Sequence, residues 1–171
     1  TILKDKKILN EVDLSKLLVN TDEFGEYSNN FNGFFGKDNY RIQIYFKKAW
    51  KDSLDSKKYY LIGMTNFKGN IDDFKGMIVI DSVFEFVDPL INYKEVYQTP
   101  VNTYEIRGKL TMKEDSLDKH AGSFAGTFLM DFSIDSTKTL DYWYYSPNTA
   151  VQGGGFKSEG TWKIYAGKLE K

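Results

Sequence analysis

Cysteine is missing from this 171-residue chain. Disulfides, thiolate nucleophiles and cysteine-held zinc or iron–sulfur centres are therefore excluded, although a disulfide-free protein is compatible with either side of a membrane. Histidine occurs once, at His120, so no multi-histidine site can form. Proline is limited to three residues, of which Pro89 and Pro100 each end a candidate strand because they lack an N–H for the ladder. No apolar run approaches the ~18–20 residues of a membrane-spanning helix. The formal net charge is -1, with both signs mixed along the chain. A basic stripe for capturing phosphates is absent, which argues against nucleic-acid binding. The acceptor pattern N-x-S/T is absent, as are G-x-S-x-G, G-x-G-x-x-G and G-x-x-x-x-G-K-[ST].

What is abundant is aromatic. Tyrosine (12), phenylalanine (13) and tryptophan (3) make up 16% of the residues, a composition suited to strands with one apolar and one wet face. Between Tyr104 and Lys113 the even positions are apolar or glycine and the odd ones polar, the signature of a half-buried antiparallel strand. Residues 40 to 48 repeat it, with Tyr40, Ile42, Ile44 and Phe46 in one row. Further strands are expected over residues 26–35, 59–66, 74–87 (through a bulge or as two strands), 93–99, 122–134, 140–145 and 160–166. Residues 68–73 read as a hairpin connection, 47–58 as a loop with one helical turn around Trp50, and 146–155 as a glycine-rich hairpin loop. Ahead of them, Asn10 or Asp13 can cap one or two helical turns carrying Leu14, Leu17 and Leu18 across one end of the body.

Eight to ten strands with short turns, and no alternation with long helices, predict an all-β fold. The expected architecture is an antiparallel up-and-down β-barrel of about eight strands with a short N-terminal helical segment; the alternative is a two-sheet β-sandwich. The whole chain, 1–171, reads as one domain, with residues 1–24 as an extension or a cover over a barrel end.

Glycine beside an aromatic recurs, in F-N-G-F-F-G at 31–36, F-K-G at 67–69 and 74–76, F-A-G at 124–126 and G-T-W-K-I-Y at 160–165. Such pairs let a strand bend while a ring covers the backbone. Over residues 30 to 166 these segments resemble calycin-like (lipocalin and avidin-type) small β-barrels, and are similar to envelope proteins of unassigned role from Bacteroidetes. Lipocalins carry G-x-W in the first strand, whereas this chain has G-x-F at Gly33 to Phe35 and its G-T-W at residues 160 to 162. The resemblance implies a barrel whose open end holds a small apolar or amphipathic molecule, and a periplasmic, outer-surface or secreted location.

Candidate sites are few. His120 with Glu114, Asp115 and Asp118 has the donor types of a metal or acid/base site but the spacing of a solvated turn. Asp72 and Asp73 fall in the expected 68–73 turn, Asp81 and Glu85 bracket a possible bulge, and Glu105 and Arg107 share one strand face as a surface pair. Paired carboxylates would suit glycoside hydrolysis only if two faced each other across a cleft. Tyr142, Trp143, Tyr144 and Tyr145 place rings on both faces of one strand, more than one core requires, and Tyr59 and Tyr60 do the same. These six are the candidate ligand-binding residues. No catalytic residue, metal ligand or cofactor is assigned. The expectation is a non-enzymatic binding protein for a small molecule, lipid or glycan, at a barrel mouth or an aromatic face. The alternatives are a structural or protein-interaction module with a packed barrel, and a carboxylate-based hydrolase.

Overall fold

The computed structural model describes residues 7–19, 31–86, 101–117, 121–142 and 155–165. Two short helices, α1 (Ile8–Glu11) and α2 (Ser15–Leu18), precede eight strands: β1 (Phe31–Phe35), β2 (Tyr40–Lys51), β3 (Lys58–Phe67), β4 (Asn70–Phe86), β5 (Val101–Glu114), β6 (Gly122–Asp135), β7 (Leu140–Tyr142) and β8 (Phe156–Ile164). All belong to one antiparallel sheet in the order β1 to β7, with β8 also on β6. The sheet curls into a half-barrel.

The concave face is built by the alternation read from the sequence. Phe46, Leu61, Ile78, Ile80, Ile106, Leu110, Met112, Met130 and Phe132 are buried there, each contributing about 1.5–3 kcal/mol from its removal from water. Curling draws the two ends of the sheet together. Phe156 of β8 lies 4.8 Å from Phe31 of β1 and 5.9 Å from Phe46, and it stacks on Phe128 at 5.8 Å. Among the described residues these edges meet through rings, and β1 pairs only with β2. Tight curvature also needs bare backbone where strands approach. Gly126 and Gly160 are ladder partners, and a Cβ on Gly126 would lie 2.1 Å from the Glu159 carbonyl oxygen and 2.6 Å from the Gly160 Cα.

The helices close one end of the half-barrel. Leu9, Leu14 and Leu18 are buried in its core. The Leu14 N–H donates to the Tyr59 hydroxyl at 3.3 Å, and the Tyr142 hydroxyl donates to the Leu17 carbonyl at 2.5 Å. Lys51 donates to the Leu9 and Val12 carbonyls, satisfying groups that the end of α1 leaves unbonded. Asp13 accepts from the Ser15 N–H and hydroxyl at the start of α2.

Several expected boundaries are corrected. Residues 47–51 are strand, with no helical turn at Trp50. A bulge after Phe46 leaves Lys47 without a ladder partner, so that Lys48, Trp50 and Lys51 pair with Ile62, Tyr60 and Tyr59. The extra residue shifts the two-residue period by one, which interrupts the alternation in the sequence at that point. Asp72 and Asp73 lie in β4, because the turn is only Lys68–Gly69, both at positive φ, between the paired Phe67 and Asn70. β4 begins at Asn70 rather than Phe74, and it is a single strand with a bulge between Ile80 and Ser82, as the first of the two readings of residues 74–87 has it.

β7 and β8 do not form a hairpin with each other. Both run antiparallel to β6 along the same edge: Tyr142 opposes Phe132, Gly155 accepts the Asp131 N–H at 2.8 Å, and Phe156 opposes Met130. Tyr142 and Gly155 thus occupy consecutive rungs of one ladder. The expected strands at 26–30 and 93–99 lie outside the described residues.

Candidate functional site

The six residues singled out for binding separate. Tyr59 is fully buried in the core. Burial pushes its hydroxyl up to about 12, the Leu14 amide opposing this and Asp13 adding to it. Tyr142 is also buried, as a tie to α2. Both serve the core. Tyr60 points to the convex face, where its ring stacks on Trp50 at 5.6 Å and its hydroxyl donates to Asp52 at 2.8 Å. Asp52 is held below the usual carboxylate range by the Leu54 amide first and this hydroxyl second, and the same bond raises Tyr60. Trp143, Tyr144 and Tyr145 lie outside the described residues, as do Asp118 and His120.

Glu105 and Arg107 do pair, at 2.5 Å, but not as an exposed couple. The Glu105 side chain is 3% exposed against 53% for Arg107, and Glu105 stands opposite the buried Asp131 on the convex face. Removing Arg107 would therefore leave a buried carboxylate short of a donor, which costs more than losing a solvated pair.

The end of the half-barrel away from the helices holds a cavity of about 290 Å³. Ile42 of β2, Phe67 of β3, and Trp162 and Ile164 of β8 supply its apolar wall; Thr65, Asp72 and Glu114 supply polar groups, and Lys68 and Asn70 sit at its rim. These side chains converge because their strands end here on the concave side: Ile42 opposes Phe67, Thr65 opposes Asp72, and Glu114 opposes Phe74. Glu114 is 7% exposed. One of its oxygens accepts from the Thr65 hydroxyl at 2.6 Å and the other from the Gly122 N–H at 3.0 Å. The carboxylate thereby fastens β3, β5 and β6 to one another at the mouth. At the rim, the Lys68 ammonium lies 3.4 Å from the Tyr40 ring centroid and 5.5 Å from that of Phe67. An apolar wall with a few placed polar groups can take an amphipathic guest, its body on Trp162 and its polar end toward Thr65, Asp72 and Glu114.

Sequence reasoning placed Glu114 and Asp72 in turns and passed over Thr65 and Trp162. A signal was present. The apolar row Tyr104, Ile106, Gly108, Leu110 and Met112 continues in phase to Glu114, and Phe74, Gly76 and Ile78 continue back to Asp72. A charge in the inward phase at a strand end marks a mouth. No protein-family model, no curated protein and no solved structure matches this chain.

Proposed function

We propose that this chain is a non-enzymatic binding protein that holds a small amphipathic molecule in the open end of its half-barrel. The observation that carries the reading is the cavity of about 290 Å³ in which Ile42, Phe67, Trp162 and Ile164 face Thr65, Asp72 and Glu114. That volume lies near the lower end of the roughly 300–1,000 Å³ typical of small-molecule sites. The resemblance to calycin-like barrels, which take their ligands at the open end, supports the same reading.

Titration with the neutral amphiphile N-phenyl-1-naphthylamine tests it. Saturable binding is expected, weakened about tenfold, or ~1.4 kcal/mol, by Trp162→Ala. Ile164→Trp, which fills the cavity from an exposed position, is expected to abolish it while leaving the far-ultraviolet circular dichroism unchanged. Unsaturable uptake, or binding indifferent to both substitutions, refutes the proposal.

A second reading, hydrolysis by paired carboxylates, draws on Asp72 and Glu114 lining one cavity. The engagement of both Glu114 oxygens as ties between strands favours binding over chemistry. Turnover of nitrophenyl glycosides that is lost in Asp72→Asn would reverse that preference.

A further inference from the structure

A second concave feature lies at the helix-covered end of the half-barrel, between α2 and the second half of β2. It is an open groove of about 680 Å³, lined by Ser15, Lys16 and Val19 on the helix side and by Lys47, Lys48 and Trp50 on the strand side. The bulge shapes its charge. In a regular strand consecutive side chains alternate between faces, but the unpartnered Lys47 beside Lys48 places two exposed lysines together. Lys16 answers them from the opposite wall. None of the three lysines makes an ion pair among the described residues.

Trp50 supplies a different surface. The residue is 44% exposed. Tyr60 backs it at an interplanar angle of 29°, and Tyr60 is in turn fixed by Asp52, which also accepts the Leu54 and Asp55 N–H groups. The indole is therefore a braced platform whose orientation costs little entropy to hold on binding.

We infer that this groove binds an acidic saccharide, a sugar chain carrying carboxylate or sulfate groups. The hydrogen-bearing face of a pyranose ring is flat and weakly apolar, and packs on an exposed indole. Its anionic substituents meet ammonium groups on both walls, in charge-assisted hydrogen bonds stronger than neutral ones. A nucleic acid would also offer rings and negative charge. Its continuous phosphates call for a longer basic track than three lysines on a chain of net charge -1. An acidic peptide satisfies the lysines but presents no regular flat face to Trp50. The inference is independent of the cavity at the open end, which shares no residue with the groove and lies at the other end of β2.

Calorimetric titration of the full chain with oligogalacturonate and chondroitin sulfate oligosaccharides tests it, with cello-oligosaccharides, oligoglutamate and a single-stranded oligonucleotide alongside. At least one acidic saccharide is expected to bind saturably. Its affinity should fall about tenfold in Trp50→Ala and in Lys47→Gln/Lys48→Gln, and fall with added salt. All three positions are exposed, so circular dichroism is expected to stay native, and Trp50→Tyr, which keeps a flat ring, should restore most of the affinity. The inference is overturned if neither acidic saccharide binds, if the neutral oligosaccharide binds equally well, if the variants bind unchanged, or if oligoglutamate or the oligonucleotide binds more tightly.

Discussion

Tyr59, one of the rings singled out for binding, is placed in the core and tied to the helical cover. Its ring lies in the apolar row with Leu61, and the hydroxyl at its tip is consumed by the Leu14 N–H of the helical cover. Only the partner was invisible, since it lies 45 residues away in sequence. The environment has a measurable consequence. The hydroxyl ordinarily ionises near 10.0 but in the folded chain burial pushes it up to about 12, so the unfolded state releases this proton first as pH rises. The stability linked to Tyr59 is fully present below pH 10 and is lost as pH climbs to about 12, a loss of roughly 3 kcal/mol at about 1.4 kcal/mol per pH unit. Urea unfolding of the native chain and of Tyr59→Phe across that window should show the native chain losing this extra stability relative to the variant. Parallel pH curves would disprove the assignment.

At the scale of elements, the strands with unbroken alternation are legible, and so is the bulged β4, but the bulge of β2 is not. Residues 104 to 113 and 122 to 134 follow one phase throughout and appear as β5 and β6. β2 changes phase at Lys47, so alternation predicts a strand over residues 40–48 with a loop after it, and gives Trp50, the braced ring of the convex face, no partner. The bulge makes an asymmetric prediction about deletions. Without Lys47, Phe46 and Lys48 become ordinary neighbours opposite Gly63 and Ile62, and every other side chain keeps its face. Deletion of Lys47 is expected to cost no more than about 1–2 kcal/mol in urea unfolding, the range of ordinary single changes. Deletion of Gln43, four residues upstream, moves Ile42 and all of β1 out of phase. It should cost several kcal/mol, since each displaced apolar side chain forfeits about 1.5–3 kcal/mol. Equal tolerance of the two deletions would show that register does not govern this strand.

For the whole molecule, the all-β class and the curved sheet followed from alternation and from the glycine–aromatic pairs, while the manner of closure did not. The two ends of the sheet meet through Phe31, Phe46, Phe128 and Phe156, and no periodicity within a strand reveals which rings will meet across a curl. The cavity at the open end was hidden for the same reason: its residues come from five strands and a turn, and only the inward phase of Glu114 and Asp72 hinted at it. Because ring packing holds the edges, Phe156→Ala should loosen them selectively. Amide exchange is expected to rise about tenfold or more in β1 and β8 while β4 and β5, paired on both sides, keep their protection. A uniform rise would mean that the contact supports the entire sheet.

The ladder along β6 has one more consequence. Since Tyr142 and Gly155 stand on consecutive rungs, the twelve residues between them are a parenthesis in an otherwise continuous edge strand. Its two ends are fixed side by side by β6, and closing a longer loop between fixed ends costs only about 0.6 kcal/mol per doubling of its length. Trp143, Tyr144 and Tyr145, whose rings depart from clean alternation, fall inside it. A designer seeking a position to graft a peptide or a whole domain into this chain would try first the interval between Tyr142 and Gly155, whose two ends stand side by side.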